Sequence, residues 1–304
     1  MTLKVLILAR KQQKLFKASL NSALLPVAEK SWISHVIEKL EKDSEIFILH
    51  QEGEKHLKGF LDLNHLDRSV ELVQSSSSSL LKDLLSNEQY FKGPLLVIFE
   101  ELFFLGEMPQ LNHDWIIRAG TNKDLISAFA VKDSVKFFSE LKELDEEAQI
   151  SDFLISRVAF KQIDLECFNL ASLEDFRKAN ESFPGKRFLM KEDEFLYFEN
   201  SYVIKYFKDS ALSESRVKRA QLLKGLVPEI VWNQENFYAY EKVPGRTLQK
   251  VFDKSAFLNM LERFKGTLWK EIELDADQQL KFKETCKAFY KDKTESRINA
   301  FFQK

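Results

Sequence analysis

Val5-Leu6-Ile7-Leu8-Ala9 is an unbroken apolar run a few residues into the sequence. It is too short for the core of a secretory signal, and no cleavage site follows it. It reads as a strand buried on both faces. The same composition returns at Ile46-Phe47-Ile48-Leu49 and at Leu95-Leu96-Val97-Ile98-Phe99, and less strictly at Ile126–Val131. Val70–Val73 reads as a short further strand. Between these runs the spacing changes: Trp32, Ile33, Val36, Ile37 and Leu40 recur at helical intervals, and Leu80–Leu85 opens another helix. His56–Leu63 reads as helical or irregular. Continuous apolar strands alternating with helices imply a mostly parallel sheet covered on both faces, hence a three-layer α/β domain. Ser172–Ala179 closes that domain as a short helix, with Ser172 and Asp175 at capping-box spacing.

At 304 residues the chain is long enough for two domains. The style changes at Glu181-Ser182-Phe183-Pro184-Gly185-Lys186-Arg187. Before Pro184 there are 22 basic and 29 acidic residues, net −7; from Pro184 onward there are 23 and 18, net +5. Pro-Gly in a polar run is a loop signal, so the expected domains are 1–183 and 184–304. In the second, Phe188–Met190, Phe195–Phe198 and Tyr202–Phe207 read as an antiparallel meander with a turn at Glu199-Asn200. A helix follows at Ser213–Lys224, then strands at Pro228–Val231 and Phe237–Tyr240. Leu248–Trp269 and Gln278–Phe302 read as helices, which makes this half α+β.

Composition excludes several functions. With 45 basic against 47 acidic residues, no overall charge draws the chain to nucleic acid or anionic lipid. Cys167 and Cys286 lie far apart without metal-ligand spacing, which excludes a disulfide framework and suits a cytoplasmic protein. The most apolar run, Pro94–Leu105, contains Glu100 and Glu101 and falls far short of the roughly 20 residues of a membrane span. Glycine is scarce, nine residues against 27 phenylalanines, and no two glycines lie within five positions of each other. No glycine-rich phosphate loop exists in the chain.

The first half resembles a nucleotidyltransferase domain of the sugar-phosphate and phosphocholine type, a Rossmann-like fold. The likeness rests on Val5–Ala9, on Leu24-Leu25-Pro26-Val27-Ala28-Glu29-Lys30 with Ile33-Ser34-His35-Val36-Ile37-Glu38-Lys39-Leu40, and on Gly93-Pro94-Leu95-Leu96-Val97-Ile98 running into Glu100-Glu101. That family cradles a nucleotide triphosphate in a glycine-rich loop. The same place reads Arg10-Lys11-Gln12-Gln13 here. Ser22-Ala23 stands where the family has Lys-Pro, and Ser75–Ser79 where it has Gly-Thr. Glu101 stands at the position of a metal-binding Asp, and Glu100 at the Gly before it. The resemblance implies Mg²⁺ held by Glu101, with Lys30 or Arg10 as substitute cations.

The second half resembles the small lobe of aminoglycoside phosphotransferase and choline kinase-like proteins. Val203-Ile204-Lys205-Tyr206-Phe207, Arg219–Pro228 and Tyr240-Glu241-Lys242-Val243-Pro244-Gly245-Arg246 carry this likeness. It implies Lys205 at nucleotide phosphates and Glu241 and Val243 beside a base. No His-Gly-Asp loop of a large lobe follows. Together the two likenesses imply bacterial surface polysaccharide or lipid head-group metabolism. The leading expectation is a divergent nucleotidyltransferase-like protein with weakened or lost catalysis, binding a nucleotide-like ligand or a partner protein. The alternatives are an active Mg²⁺-dependent nucleotidyltransferase acting on a phosphorylated sugar or alcohol, and a phosphotransferase fragment lacking its large lobe.

Other signals have plainer readings. His113-Asp114 lacks the further ligands of a metal site and reads as a surface pair. Ser75–Ser79 reads as a turn ending in a helix N-cap. Phe103-Phe104, Phe137-Phe138 and Phe301-Phe302 read as core pairs, the last, near a chain end, also as a cover for a partner or a missing lobe. Lys281, Lys283, Lys287, Lys291 and Lys293 read as a solvated helix face.

Overall fold

The computed structural model describes residues 2–13, 20–51, 55–64, 68–119, 126–145, 148–157, 160–183, 193–246, 250, 252–269 and 271–302. Its main sheet has seven strands, in the spatial order Lys161–Leu165, Trp115–Ala119, Ile126–Val131, Leu95–Ile98, Lys4–Ala9, Glu45–His50 and Val70–Gln74. Ile126–Val131 runs antiparallel to both its neighbours. The remaining pairings are parallel. Alternate side chains of the first strand enter different cores. Val5, Ile7 and Ala9 join Trp32, Ile33, Val36 and Ile37 of helix α1 (Trp32–Glu38) and Leu57 and Phe60 of α2 (Lys55–Asn64). Leu6 and Leu8 join the opposite layer, with Leu84 of α3 (Leu80–Ser86), Phe137 and Phe138 of α4 (Ser134–Leu141) and Leu154 of α5 (Ile150–Ser156). A strand with both faces covered has no polar side to show, which explains the unbroken apolar run. Each fully buried Leu or Ile contributes about 1.5–3 kcal/mol.

Ser31, Ser79, Asp133 and Ser172 cap the helices that follow them. Ser172 accepts from the amide of Asp175 in α6 (Leu173–Glu181), as its spacing predicts. The Asp175 carboxylate, however, accepts from the amide of Asn169 at 3.1 Å. The helices α4 and α5 and the strand Lys161–Leu165 lie outside the sequence expectations. In Lys161-Gln162-Ile163-Asp164-Leu165 polar and apolar residues alternate, because this strand is at the sheet edge and half exposed.

A second sheet of four antiparallel strands has the order Glu194–Glu199, Tyr202–Phe207, Phe237–Glu241, Ile230–Gln234. Asn200, with φ 44°, sits in the expected turn at Glu199-Asn200. Helix α7 (Ser210–Leu222) leaves the second of these strands. Phe188–Met190 lies outside the described residues. This sheet is fused to the first domain by one core: Phe195, Tyr197, Ile204, Phe237 and Ala239 pack in the cluster that contains Val5 and Ile7. Polar ties reinforce it. Tyr197 Oη donates to the Leu24 carbonyl at 2.7 Å, and the Phe198 amide donates to the Glu29 carbonyl at 2.7 Å. The buried Glu199 carboxylate accepts from the Ser31 amide at 2.6 Å. The indole of Trp232 lies so close over Gly59 that a Cβ there would meet it at 2.6 Å.

Compact packing divides the chain into Met1–Val243 and Pro244–Lys304, so the region before and after the 183/184 expectation shares one unit. The second unit contains α8 (Lys254–Thr267), α9 (Ala276–Cys286), a π-helical turn at Lys287–Asp292, and α10 (Lys293–Phe302). None of its described residues is buried. Of the three Phe pairs, Phe103-Phe104 and Phe137-Phe138 are core, whereas Phe301 and Phe302 are about three-quarters exposed or more, at 75% and 79%. Among the described residues no helix is long and apolar enough to cross a membrane.

Candidate active site

The first strand lies at the centre of the parallel run. The chain leaves it to one side, toward Glu45–His50 and Val70–Gln74, and returns on the other side as Leu95–Ile98. Crossovers that diverge in this way leave a crevice beyond the carboxyl ends of the two central strands, where ligands of open α/β sheets bind. A cleft of about 610 Å³ opens there. Arg10 and Lys11 extend from the end of the first strand into its wall. Glu100 and Glu101 turn the corner after the other central strand, and Ser78 and Ser79 precede α3. Gln149, Ser151 and Asn169 line it as well, with Leu8, Phe99 and Ile126 as apolar floor and wall.

The cleft's charges are committed to each other. The amides of Arg10 and Lys11 both donate to Oε2 of Glu100, the Lys11 amide at 2.8 Å. Glu100 is 6% exposed, and burial pushes its carboxyl above the ordinary value, against the opposing pull of Lys11 and Arg10. The Arg10 guanidinium pairs with Asp83 at 3.0 Å, and the Lys11 ammonium with Glu101 at 3.1 Å. Asp83 is buried and also accepts from Ser75 Oγ at 2.6 Å and the Ser76 amide at 3.0 Å. The serine tract is therefore a turn folded around Asp83, and its last residue, Ser79, caps α3. Glu101 holds φ at 65°, left-handed backbone that costs a side-chain-bearing residue about 1–2 kcal/mol. The Leu170 amide fixes it by donating to the Glu101 carbonyl at 2.7 Å.

Of the residues singled out from the sequence, Arg10 and Glu101 meet in this cleft. Lys30 does not line it, and its ammonium pairs with Glu38 in α1. Lys205, Glu241 and Val243 belong to the four-stranded sheet region and are not in the cleft wall. Lys205 lies opposite Tyr238, with its ammonium 5.9 Å from the Tyr240 ring centre, and Glu241 pairs with Tyr202 in the ladder. Asp114 of the His113-Asp114 pair accepts from the Lys132 amide at 2.9 Å. Sequence reasoning gave neither Asp83 nor Lys11 a role in a site. Two cations after one apolar strand, with acids after a second, are the signal that points to Lys11; Asp83, inside α3, lies outside that pattern. Gln149, Ser151 and Asn169 carry no such signal.

The carboxylates that Mg²⁺ would use, Glu101 and its neighbour Glu100, are partly engaged within the cleft. One Glu100 oxygen is taken by two amides and one Glu101 oxygen by an ammonium, and among the described residues no three His, Cys, Asp or Glu side chains group as metal ligands. Each carboxylate keeps a second oxygen, and Mg²⁺ is usually held by one or two carboxylates together with water and substrate phosphate oxygens.

The chain resembles solved structures over its larger part. A protein described as a glucose-1-phosphate thymidylyltransferase from Bacillus anthracis, in complex with a sucrose, superposes with a TM-score of 0.51 at 17% identity, covering 63% of this chain and 98% of that one. The fold is a nucleotidyltransferase fold. CTP:phosphocholine cytidylyltransferase from Streptococcus pneumoniae is also similar, at 18% identity and a TM-score of 0.45, over 60% of this chain and 99% of its own. No family model matches the sequence, and no curated protein does. The likeness to the thymidylyltransferase places the large mostly parallel sheet in the nucleotidyltransferase fold and does not show a kinase-like lobe.

Proposed function

We propose that this chain is a divergent nucleotidyltransferase-fold protein whose transfer chemistry is weakened or lost and whose cleft binds a nucleotide-like ligand. The observation that carries this reading is the internal neutralisation of the cleft. Transfer of a nucleotidyl group depends on cations and a metal aimed at developing phosphate charge. Arg10 and Lys11, the cations at this strand end, are instead spent on Asp83 and Glu101. What supports retained binding is the cleft itself, of ordinary ligand volume, with apolar walls and a few polar groups. The reading extends to a cytoplasmic setting in surface polysaccharide or head-group metabolism, and to a module boundary near residue 183 inside one compact unit. A kinase-like origin for residues 184–304, with Lys205, Glu241 and Val243 as a nucleotide site, belongs to it as well.

Thermal unfolding with CTP, UTP, GTP and ATP, each with and without Mg²⁺, tests binding. A ligand at about 100 times its dissociation constant stabilises the fold by about 2.7 kcal/mol. Pyrophosphate release, measured with sugar phosphates and phosphocholine as acceptors, tests chemistry. The expected result is stabilisation by one nucleotide without pyrophosphate release. Turnover that Glu101→Ala abolishes would overturn the loss of catalysis and establish the active, metal-dependent alternative.

A further inference from the structure

Two consecutive backbone N–H groups aimed at one point make a small concavity suited to an oxyanion. At the end of the first strand the amides of Arg10 and Lys11 are so aimed, at an oxygen of Glu100, some 90 residues away in sequence. The pair of amides has the form of an anion-binding concavity made by main chain. It sits in the cleft at the switch point, with the side chains of Arg10 and Lys11 beside it. Its occupant is already an oxyanion of the chain's own making. Glu100 is anchored for this: Phe99 before it is tied by its amide to the Ser127 carbonyl at 2.9 Å, and Glu101 after it is tied by its carbonyl to the Leu170 amide.

We propose that Glu100 is an intramolecular occupant of an oxyanion site formed by the Arg10 and Lys11 amides, and that it determines specificity by excluding phosphate-bearing ligands from that end of the cleft. A polyphosphate reaches the amides only by displacing this carboxylate. It must do so against the negative charge of Glu101 three ångströms from the Lys11 ammonium, which stays within the cleft. A ligand that enters without displacing Glu100 uses the remaining polar groups, Gln149, Ser151 and Asn169. The inference rests on reading the cleft as the ligand site, and it adds from which end of that site phosphate groups are kept.

The test is calorimetric titration of the full chain with sodium tripolyphosphate in metal-free buffer containing chelator. Wild type, Glu100→Ala and Glu100→Gln are compared, with ¹⁵N-labelled arginine and lysine reporting the two amides by NMR. Glu100→Ala empties the site, and affinity for tripolyphosphate should rise at least tenfold over wild type, with the Arg10 and Lys11 amide signals moving on titration. Glu100→Gln keeps a neutral acceptor of the same length and should fall between. Should the alanine variant not fold, the glutamine variant decides alone. Equal affinity in wild type and a folded variant overturns the proposal, as does a gain that leaves both amide signals unmoved. Nucleotide binding by wild type without any gain in the variants would discard the occupant and keep the cleft. A gain in the variants with no nucleotide bound by any form would do the reverse.

Discussion

Arg10 and Asp83 offer the most direct measure of how far the cleft is committed to itself. The Asp83 side chain is fully buried and accepts from three donors, whereas the Arg10 side chain retains 15% exposure. Asp83→Ala removes the acceptor from a partly buried guanidinium, a hydroxyl and an amide at once. Hydrogen bonds to charged groups are worth about 1.5–3 kcal/mol each but are not additive. Breaking a buried pair from one side costs about 3–5 kcal/mol, and that is the expected loss. In a unit of 243 residues, at about 2–4 °C per kcal/mol, the midpoint should fall by roughly 6–20 °C. Arg10→Met leaves the buried carboxylate with Ser75 and Ser76 only, and should also destabilise. Urea unfolding of both single variants and the double variant, followed by fluorescence of the buried Trp32 and Trp115, yields the coupling. A coupling of at least about 1 kcal/mol is expected for groups in contact. A value within error of zero would mean that Arg10 is free to serve a ligand, and would refute the neutralised cleft.

Three further outcomes follow from geometry. Gly225 has φ 81° and nothing within 4 Å of an added Cβ, so Gly225→Ala should cost only the left-handed penalty, about 1–2 kcal/mol by urea unfolding. Gly59→Ala gains about 1 kcal/mol of helix propensity but drives a methyl into the Trp232 indole, an overpacking worth about 1–3 kcal/mol. It should destabilise the wild type and stabilise a Trp232→Leu background, and the same sign in both would count against the contact. Burial lowers the pKa of His35 and of His56, against the pull of Val27 and Glu38 on the first and Glu235 on the second. Their stability contribution is therefore full above the ordinary imidazole value near 6.5 and lost as pH falls through the folded values. Burial of Glu100 and Glu199 acts in the opposite sense. Comparison with His35→Gln isolates one imidazole: thermal midpoints should fall less steeply below pH 6.5 in that variant.

The central strands were legible because a strand covered on both faces has no polar positions, so Val5–Ala9 and Leu95–Ile98 identify themselves without partners. The edge strand Lys161–Leu165 was not, since its half-exposed pattern resembles many loops. In the cleft, Arg10 and Glu101 were singled out through the family resemblance, which aligns the segments after Val5–Ala9 and after Leu95–Ile98. Their pairings were not. Asp83 reaches Arg10 across 73 residues, and Glu100 reaches the Arg10 amide across 90, contacts that only the sheet order creates. The glycine scarcity has a structural counterpart. Ala28, Glu29, Glu101, Asn200 and Glu235 all hold positive φ, so bends that glycine would make without strain are made by residues with side chains. At Glu101 the side chain so placed also neutralises Lys11.

The core shared by the strand Lys4–Ala9 and the sheet Glu194–Glu241 bears on how the chain tolerates being cut. Tyr197, Ile204 and Phe237 complete a hydrophobic cluster that residues before 183 leave unfinished, and Tyr197 and Glu199 supply hydrogen bonds to the segment Leu24–Ser31. The two pieces share that core. Severed within residues 184–192 and expressed as two polypeptides, the pieces should find each other and assemble as a complementing pair. Shuffled onto foreign partners, each would carry an exposed half of a core.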